Sequence, residues 1–307
     1  MSYPINARVH KYYSNLIAIE HYNIFEVAHD KIVIFLGGLG DGITTVPYVR
    51  HLAVELDKHG WGLVEILTTS SYTGWGTGSL VRDALEITKA IRYFKSKTGG
   101  SKAKIVVMGH STGTQQTMYY LTQQYSTDTN DLEKRPQIDG AILQAPCSDR
   151  EAYELLNGRH VYEEYLKFAK EWVHRGNGNE VLPQRFAETF FNTSVNANRW
   201  VSLMDVRGGD DYFSSDLNAN DHRTTFGKVR SKLLVVFSGN DQFVPGTVDK
   251  DMLVRQWQSA TVPELWSAHS GVVKGATHEV GQESEPGARE ELISRVCAFL
   301  TNEVDGQ

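Results

Sequence analysis

Residues 104–113 read Lys-Ile-Val-Val-Met-Gly-His-Ser-Thr-Gly. A short β-branched run, Ile105 to Met108, enters Gly109-His110-Ser111-Thr112-Gly113, and a helix-like segment, Gln115 to Tyr125, follows at once. The pattern is strand, sharp turn, helix, with a serine at the apex. In a G-x-S-x-G elbow the serine backbone is strained and its hydroxyl stands exposed above the sheet. Side chains at the flanking glycines would collide with the neighbouring strand or helix. The pentapeptide alone arises by chance in many chains, and its bland reading is a glycine-rich turn with an incidental serine. The strand before it and the helix after it make Ser111 a candidate nucleophile.

A serine hydroxyl is a poor nucleophile at neutral pH and needs an adjacent base. The base needs a third group to hold its tautomer and to stabilise the imidazolium that forms. With a serine on an elbow, the acid follows in the chain and the histidine comes last. Lys232 to Ser238 (Lys-Leu-Leu-Val-Val-Phe-Ser) is a nearly continuous apolar run, as suits a strand buried on both faces of a parallel sheet. Asp241 follows it, in a turn bracketed by Gly239 and Pro245, at the edge where open α/β sheets place catalytic groups. The bland reading of Asp241 is an Asx-turn residue. Among eleven histidines, His278 has the expected placement, after a short strand at Val272-Val273 and before the last helix. His269 precedes that strand, and His222 is out of order. His110 reads as packing or hydrogen-bonding beside Ser111. Asp149, after the strand Ile138 to Ala145, is the alternative acid. Asp210, Asp211 and Asp216 read as loop or helix-capping residues.

A tetrahedral intermediate places negative charge on the former carbonyl oxygen, and each preorganised N–H donor aimed at it contributes roughly 3–4 kcal/mol. One donor is expected at the amide after the serine, Thr112, and a second in the loop after an early central strand. Lys31 to Leu36 is that strand, and it enters Gly37-Gly38-Leu39-Gly40-Asp41-Gly42. Leu39 is the expected second donor, and Gly38 lets the backbone approach a substrate oxygen. A phosphate-binding dinucleotide loop is the competing reading. It fails because Ile43 stands where G-x-G-x-x-G needs its last glycine, and no Gly-Lys-Ser/Thr ends the loop.

The chain has 307 residues and a mass of 34.4 kDa, enough for one large α/β domain with an insertion or for two small domains. Hydrophobic content of 40% indicates a folded globular protein. A net charge of −6 argues against a nucleic-acid-binding surface. No apolar stretch reaches the length of a membrane span or of a signal-peptide core with its cleavage site. Cys147 and Cys297 suggest no disulfide framework and fit reduced packing residues in a cytoplasmic protein. No Cys/His cluster has zinc spacing. No metal or organic cofactor is expected.

Strands and helices alternate along most of the chain, which argues for a mostly parallel sheet flanked by helices. Leu16 to His21 and Ile24 to Ala28 read as an opening antiparallel hairpin. Val46 to His59 and Leu80 to Lys95 read as helices, the second with Val81, Ala84, Leu85, Thr88 and Ile91 as its buried stripe. Leu292, Ile293, Val296, Phe299 and Leu300 give the last helix one apolar face. Between Asp149 and about Asp221 the alternation stops, and helices are expected at Val161 to Trp172, Gln184 to Phe191 and Ala197 to Met204. The reading is a core of residues 1–148 and 222–307, with 149–221 inserted as a mainly helical cap over the site. Ser70 to Ser79 stands at a strand's carboxyl end. Tyr72 and Trp75 there are expected to wall a substrate pocket, with Ser79 as an N-cap.

Five stretches together resemble one group of α/β-hydrolases. They are Gly37-Gly38-Leu39-Gly40-Asp41-Gly42 with Val46-Pro47-Tyr48; Ser70-Ser71-Tyr72-Thr73-Gly74-Trp75-Gly76; the elbow Gly109 to Gly113; Gln144-Ala145-Pro146-Cys147-Ser148-Asp149-Arg150-Glu151-Ala152; and Asp210-Asp211-Tyr212-Phe213-Ser214-Ser215-Asp216-Leu217. The chain looks like the family, long catalogued as a domain of unknown function, that includes fungal intracellular siderophore esterases. The resemblance spans most of the chain, weakly in the cap, and its Ser-Tyr-Thr-Gly-Trp-Gly stretch is far more specific than the elbow. It implies an α/β-hydrolase fold and an intracellular serine esterase, fungal members cleaving ester bonds in fusarinine-type siderophores. The family extends beyond siderophore users, and Thr114, Gln115 and the cap are where this chain can diverge with substrate.

The expectation is therefore a serine carboxylic-ester hydrolase acting on a small-molecule ester, with Ser111, His278 and Asp241 as triad and Leu39 and Thr112 as oxyanion donors. Lactonase, thioesterase and other acyl hydrolases use the same machinery. A ligand receptor on a hydrolase scaffold is the rival outside enzymes.

Overall fold

The structure, a computed structural model, describes residues 5–22, 29–97, 99–122 and 135–306. Its sheet has strands β1 (Ala7–Tyr13), β2 (Leu16–His21), β3 (Lys31–Leu36), β4 (Trp61–Ile66), β5 (Lys104–His110), β6 (Gly140–Gln144), β7 (Lys232–Ser238) and β8 (Gly271–Val273). Their order is β1-β2-β4-β3-β5-β6-β7-β8. β1 pairs antiparallel with β2 and β2 antiparallel with β4, while every pairing from β4 to β8 is parallel.

The central strands are apolar throughout because both faces are covered. In β3, Ile32, Ile34 and Leu36 join one core cluster while Val33 and Phe35 join the other; Ile105 and Val107 of β5 are likewise opposite Val106 and Met108. Helices α1 (Val49–Lys58) and α10 (Ala288–Ala298) close one face with Val49, Leu52, Leu56, Leu292 and Val296. Helices α2 (Leu80–Lys95), α3 (Gly113–Thr122) and α9 (Lys250–Ala260) cover the other. The Ser79 hydroxyl caps α2, accepting from the Arg82 amide at 3.2 Å. Among the described residues no helix is long and apolar enough to cross a membrane.

After β6 the chain is helical: α4 (Asp149–Asn157), α5 (Arg159–His174), α6 (Gln184–Thr189), α7 (Ala197–Met204) and α8 (Ala219–Thr224). Tyr153, Phe186, Phe190, Trp200 and Leu203 build a separate core cluster there, and Trp75 joins it from the loop after β4.

Several expectations change. The opening hairpin pairs β2 with Ala7–Tyr13, a strand the sequence reading passed over because its residues are mostly exposed; Ile24 to Ala28 lies outside the described residues, as does the end of the segment expected to reach Tyr125. On α2, Val81 and Leu85 are exposed. The buried face carries Leu80, Ala84, Ile87, Ile91 and Phe94 together with Asp83 and Glu86. Hydropathy assigns those carboxylates to solvent, yet here they accept hydrogen bonds from Ser70 and Thr69. Of the two readings of Asp210, Asp211 and Asp216, loop residues or helix caps, the structure has loop residues, each held by an arginine. Arg199 donates to both oxygens of Asp210 at 2.8 and 2.7 Å, and Arg150 pairs with Asp211 and Asp216.

The turn from β5 into α3 has no room for side chains. A Cβ on Gly113 would lie 2.4 Å from the Leu36 carbonyl oxygen of β3, and one on Gly109 would lie 2.2 Å from the Gly113 carbonyl oxygen. Backbone cannot retreat as a flexible side chain can. Gly113→Ala is therefore expected to cost about 2–3 kcal/mol, read as a lower midpoint in urea unfolding; an unchanged midpoint would refute the close approach.

Candidate active site

Ser111 follows β5 with φ 54°, in the left-handed region that non-glycine residues rarely adopt. Its amide donates to the Gln144 carbonyl oxygen at 3.1 Å, and its carbonyl oxygen accepts from the Thr114 amide at 2.8 Å. These bonds hold the turn at the sheet's carboxyl edge. Gly38, after β3, faces the serine directly: a Cβ there would lie 2.6 Å from Ser111 Cβ and 3.0 Å from its Oγ.

Asp241 follows β7 and His278 follows β8. His278 Nδ1 lies 2.7 Å from Asp241 Oδ2, and both side chains are buried. A carboxylate only accepts, so Nδ1 carries the hydrogen and Nε2 is left as the basic nitrogen. The Phe243 amide donates to Asp241 Oδ1 at 3.0 Å, the His278 amide donates to Gln242 Oε1 at 3.1 Å, and the Phe243 ring stands edge-on to the imidazole at 4.8 Å. Asp149 is not on the histidine. It accepts from Gln115 Nε2 at 2.7 Å, and burial pushes its carboxyl well above the usual range.

A cleft of about 70 Å³ gathers Ser111, His278, His110, Leu39, Asp41, Cys147, Asp149 and Glu279 under Phe190, Phe191, Phe243 and Leu156. Among the described residues, neither the Leu39 amide nor the Thr112 amide donates to a protein acceptor. Gly38 N does, to Asp41 Oδ2 at 2.8 Å, which curls the loop while the Leu39 N–H stays free. Burial pushes the Cys147 thiol up, against the lowering effect of the neighbouring Ser111 hydroxyl, so the thiol stays protonated. Both cysteines are free and buried.

Two residues expected to wall the pocket lie elsewhere. Trp75 is 2% exposed and packs edge-on to Phe190 at 5.5 Å inside the helical cluster. Tyr72 is exposed, with its ring against Gly42 and its amide donating to the Asp41 carbonyl oxygen at 2.7 Å. An aromatic on a loop at the sheet edge signals apolar burial as readily as ligand contact. Here the walls come from Phe190, Phe191 and Phe243.

Gln144 is the residue that sequence reasoning missed. Its side chain, at the end of β6, accepts from Tyr48 Oη at 3.0 Å and meets His110 Nδ1 at 2.5 Å; its Nε2 donates to Ser238 Oγ at 3.2 Å and to the His278 carbonyl oxygen at 3.3 Å. The available signal was a glutamine closing an otherwise apolar run. Burial, reinforced by nearby His278, pushes the His110 imidazole down to about 4. His110 hydrogen-bonds beside Ser111 as expected.

A parallel sheet whose carboxyl edge gathers a strained serine, a histidine and its carboxylate defines the α/β-hydrolase class. A solved α/β-hydrolase fold protein of unknown function superposes with a TM-score of 0.68 at 16% identity over 100% of this chain and 98% of its own. The chain belongs to the family described as "Protein of unknown function (DUF1749)", matched over residues 1–301. A UPF0613 protein of Schizosaccharomyces pombe is 40% identical, covering 97% of each chain. The fusarinine C esterase of Aspergillus fumigatus is 35% identical over 95% of each chain. The structure of siderophore hydrolase EstB from Aspergillus fumigatus matches with a TM-score of 0.85 and 32% identity over 97% of each chain. These kinships support an enzyme that hydrolyses esters.

Beneath the elbow, Asp83 accepts from Ser70 Oγ at 2.6 Å and from Gln116 Nε2 at 3.0 Å, and burial pushes its carboxyl up to about 6. A native carboxyl that keeps its proton to higher pH than the unfolded one contributes stability that is full below 3.8 and is lost as pH rises through about 6. In Asp83→Asn that decline is expected to flatten, measured as urea midpoints across this window; parallel pH profiles in variant and wild type would contradict it.

Proposed function

We propose that this protein is a serine carboxylic-ester hydrolase working through an acyl-enzyme, with Ser111 as nucleophile, His278 as base and Asp241 as its orienting acid. The observation that carries the reading is the 2.7 Å bond between His278 Nδ1 and Asp241, in one cleft with a serine held at φ 54°. His278 Nε2 takes the Ser111 proton as Oγ attacks the ester carbonyl. The Leu39 and Thr112 amides receive the oxyanion, each contributing roughly 3–4 kcal/mol. The imidazolium then protonates the departing alcohol, and water deacylates the serine by the same steps in reverse. Asp241 keeps the hydrogen on Nδ1 and stabilises the imidazolium without accepting its proton.

The substrate we propose is an ester of a hydroxamate siderophore of the fusarinine type. Support comes from relatives named fusarinine C esterase and siderophore hydrolase that align along nearly the whole chain. Residues 149–221 act as a helical cap in this reading. Phe190 and Phe191 reach from it into the cleft, where they exclude water. Free cysteines suit a reducing compartment, and we place the enzyme in the cytoplasm.

Ser111→Ala is expected to lower kcat on a short activated ester by at least about 10⁴-fold, and Asp241→Asn by about 10⁴-fold. A fluorophosphonate should label Ser111 in wild type. Turnover near wild-type levels in Ser111→Ala would remove the nucleophile assignment. For the substrate, ferric and iron-free hydroxamate esters are compared by mass spectrometry with simple acyl esters and lactones. Cleavage of the simple esters alone would discard the siderophore reading and leave the serine chemistry standing.

A further inference from the structure

We infer that His110 and Asp41 form a notch in the cleft that receives a hydrogen-bond donor of the substrate, an ammonium above all, and that Gln144 sets the imidazole tautomer on which the notch depends. The inference rests on the serine-esterase reading and names the class of ester the site takes.

The orientation of the Gln144 amide comes first. The His278 backbone carbonyl can only accept, so the Gln144 atom 3.3 Å from it must be Nε2. Oε1 then faces Tyr48 Oη at 3.0 Å and His110 Nδ1 at 2.5 Å. An amide oxygen only accepts, so His110 Nδ1 carries the ring hydrogen. On a neutral imidazole this leaves Nε2 as a bare acceptor. Burial and the adjacent His278, whose ring centroid is 5.0 Å away, both oppose a second proton on His110.

Nε2 of His110 points to Asp41 Oδ2, 3.9 Å away. That is too long for a hydrogen bond, and both atoms are acceptors. His110 is 1% exposed, and among the described residues its Nε2 has no hydrogen-bond partner. An acceptor at the cleft wall that faces a carboxylate is unfavourable until a donor bridges the two. Asp41 is fixed for that task, with Gly38 N on Oδ2 and Thr45 Oγ1 on Oδ1, each at 2.8 Å. Both residues line the cleft that holds Ser111. No lysine or arginine lines it among the described residues, while Asp149 and Glu279 do. Asp149 is held toward its neutral form, so Asp41 and Glu279 set the field in the cleft, which favours a cationic donor over a neutral one and disfavours a carboxylate or phosphate on the substrate.

The experiment compares kcat/KM for a homologous series of ethyl ω-aminoalkanoates with ethyl alkanoates of equal length, so that an ammonium replaces a methyl group. Wild type is expected to prefer the amino ester by about tenfold or more at the chain length that reaches the notch, because a site built to accept from a donor rejects the analogue that lacks one. His110→Phe and Asp41→Asn should each bring that ratio toward one. The ratio is taken within each variant, so a general loss of activity cancels, and Asp41→Asn keeps an amide oxygen for the Gly38 N–H, with its NH2 able to donate to the Thr45 hydroxyl, if the phenylalanine disturbs the turn. Histidine ¹⁵N spectra should report hydrogen on Nδ1 of His110 in wild type, and this signature should vanish in Gln144→Leu. Serine-dependent turnover with no preference at any length, or a preference unchanged in both variants, would overturn the notch and leave the esterase intact. Ester turnover that survives Ser111→Ala would instead overturn the esterase.

Discussion

One buried amide holds the site together. Gln144 stands at the end of β6, between the strands that deliver the serine and the acid. Its backbone carbonyl fixes the Ser111 turn, and its side chain reaches the Tyr48 hydroxyl, His110, Ser238 and the backbone of His278. The bonded groups come from four separate stretches of chain. A parallel sheet brings strand ends to one edge, but it does not align the loops that leave them. A fully satisfied polar residue inside an apolar sheet can do so, because each misaligned loop would strand a buried donor or acceptor. Cross-linking through Gln144 is thus what turns the sheet edge into a defined cleft.

A second layer of buried polar groups supports the first. Gln115 and Gln116 are consecutive in α3, and each donates to a buried carboxyl, Asp149 and Asp83 respectively. Arg199 of α7 lies near both and is paired with Asp210. Three acids around one guanidinium cannot all ionise cheaply at low dielectric, and burial pushes Asp149 and Asp83 toward their protonated forms. The network runs from the helix behind Ser111 into the helical segment after β6. That segment is therefore bound to the core by specific hydrogen bonds as well as by aromatic packing.

The parallel core was legible because apolar runs such as Lys232–Ser238 and glycine-marked turns such as Gly109–Gly113 each have one physical explanation. Ser111, Asp241 and His278 could be singled out by strand order; His278 bonds Asp241 and lines one cleft with Ser111. Residues whose role depends on partners distant in sequence were not legible. Asp83 and Glu86 were left out of the buried stripe of α2 because hydropathy cannot see Ser70 and Thr69 waiting for them. Val81 and Leu85 were assigned inward for the same reason. Gln144 stood in a resembling stretch, but nothing in that stretch showed the partners that give it a role. Trp75 and Tyr72 were read by chemical type, and type does not say whether an aromatic meets a ligand or a neighbouring helix.

The burial of Trp75 has a larger consequence for the cleft. Its ring packs edge-on to Phe190 at 5.5 Å and to Phe191 at 6.5 Å, and both of these line the cleft. Gly76 lies so close to the helical segment that a Cβ there would sit 2.0 Å from the Ser194 carbonyl oxygen, and the Gly76 carbonyl accepts from the Asn196 amide at 2.8 Å. The Tyr-Thr-Gly-Trp-Gly loop thus gives a close-fitting seat to the segment that carries the cleft's aromatic wall. A change in this loop would act on pocket shape through Phe190 and Phe191, without Trp75 lining the cleft. A loop motif can therefore stay specific to a family while its members differ in the residues around the bound ester.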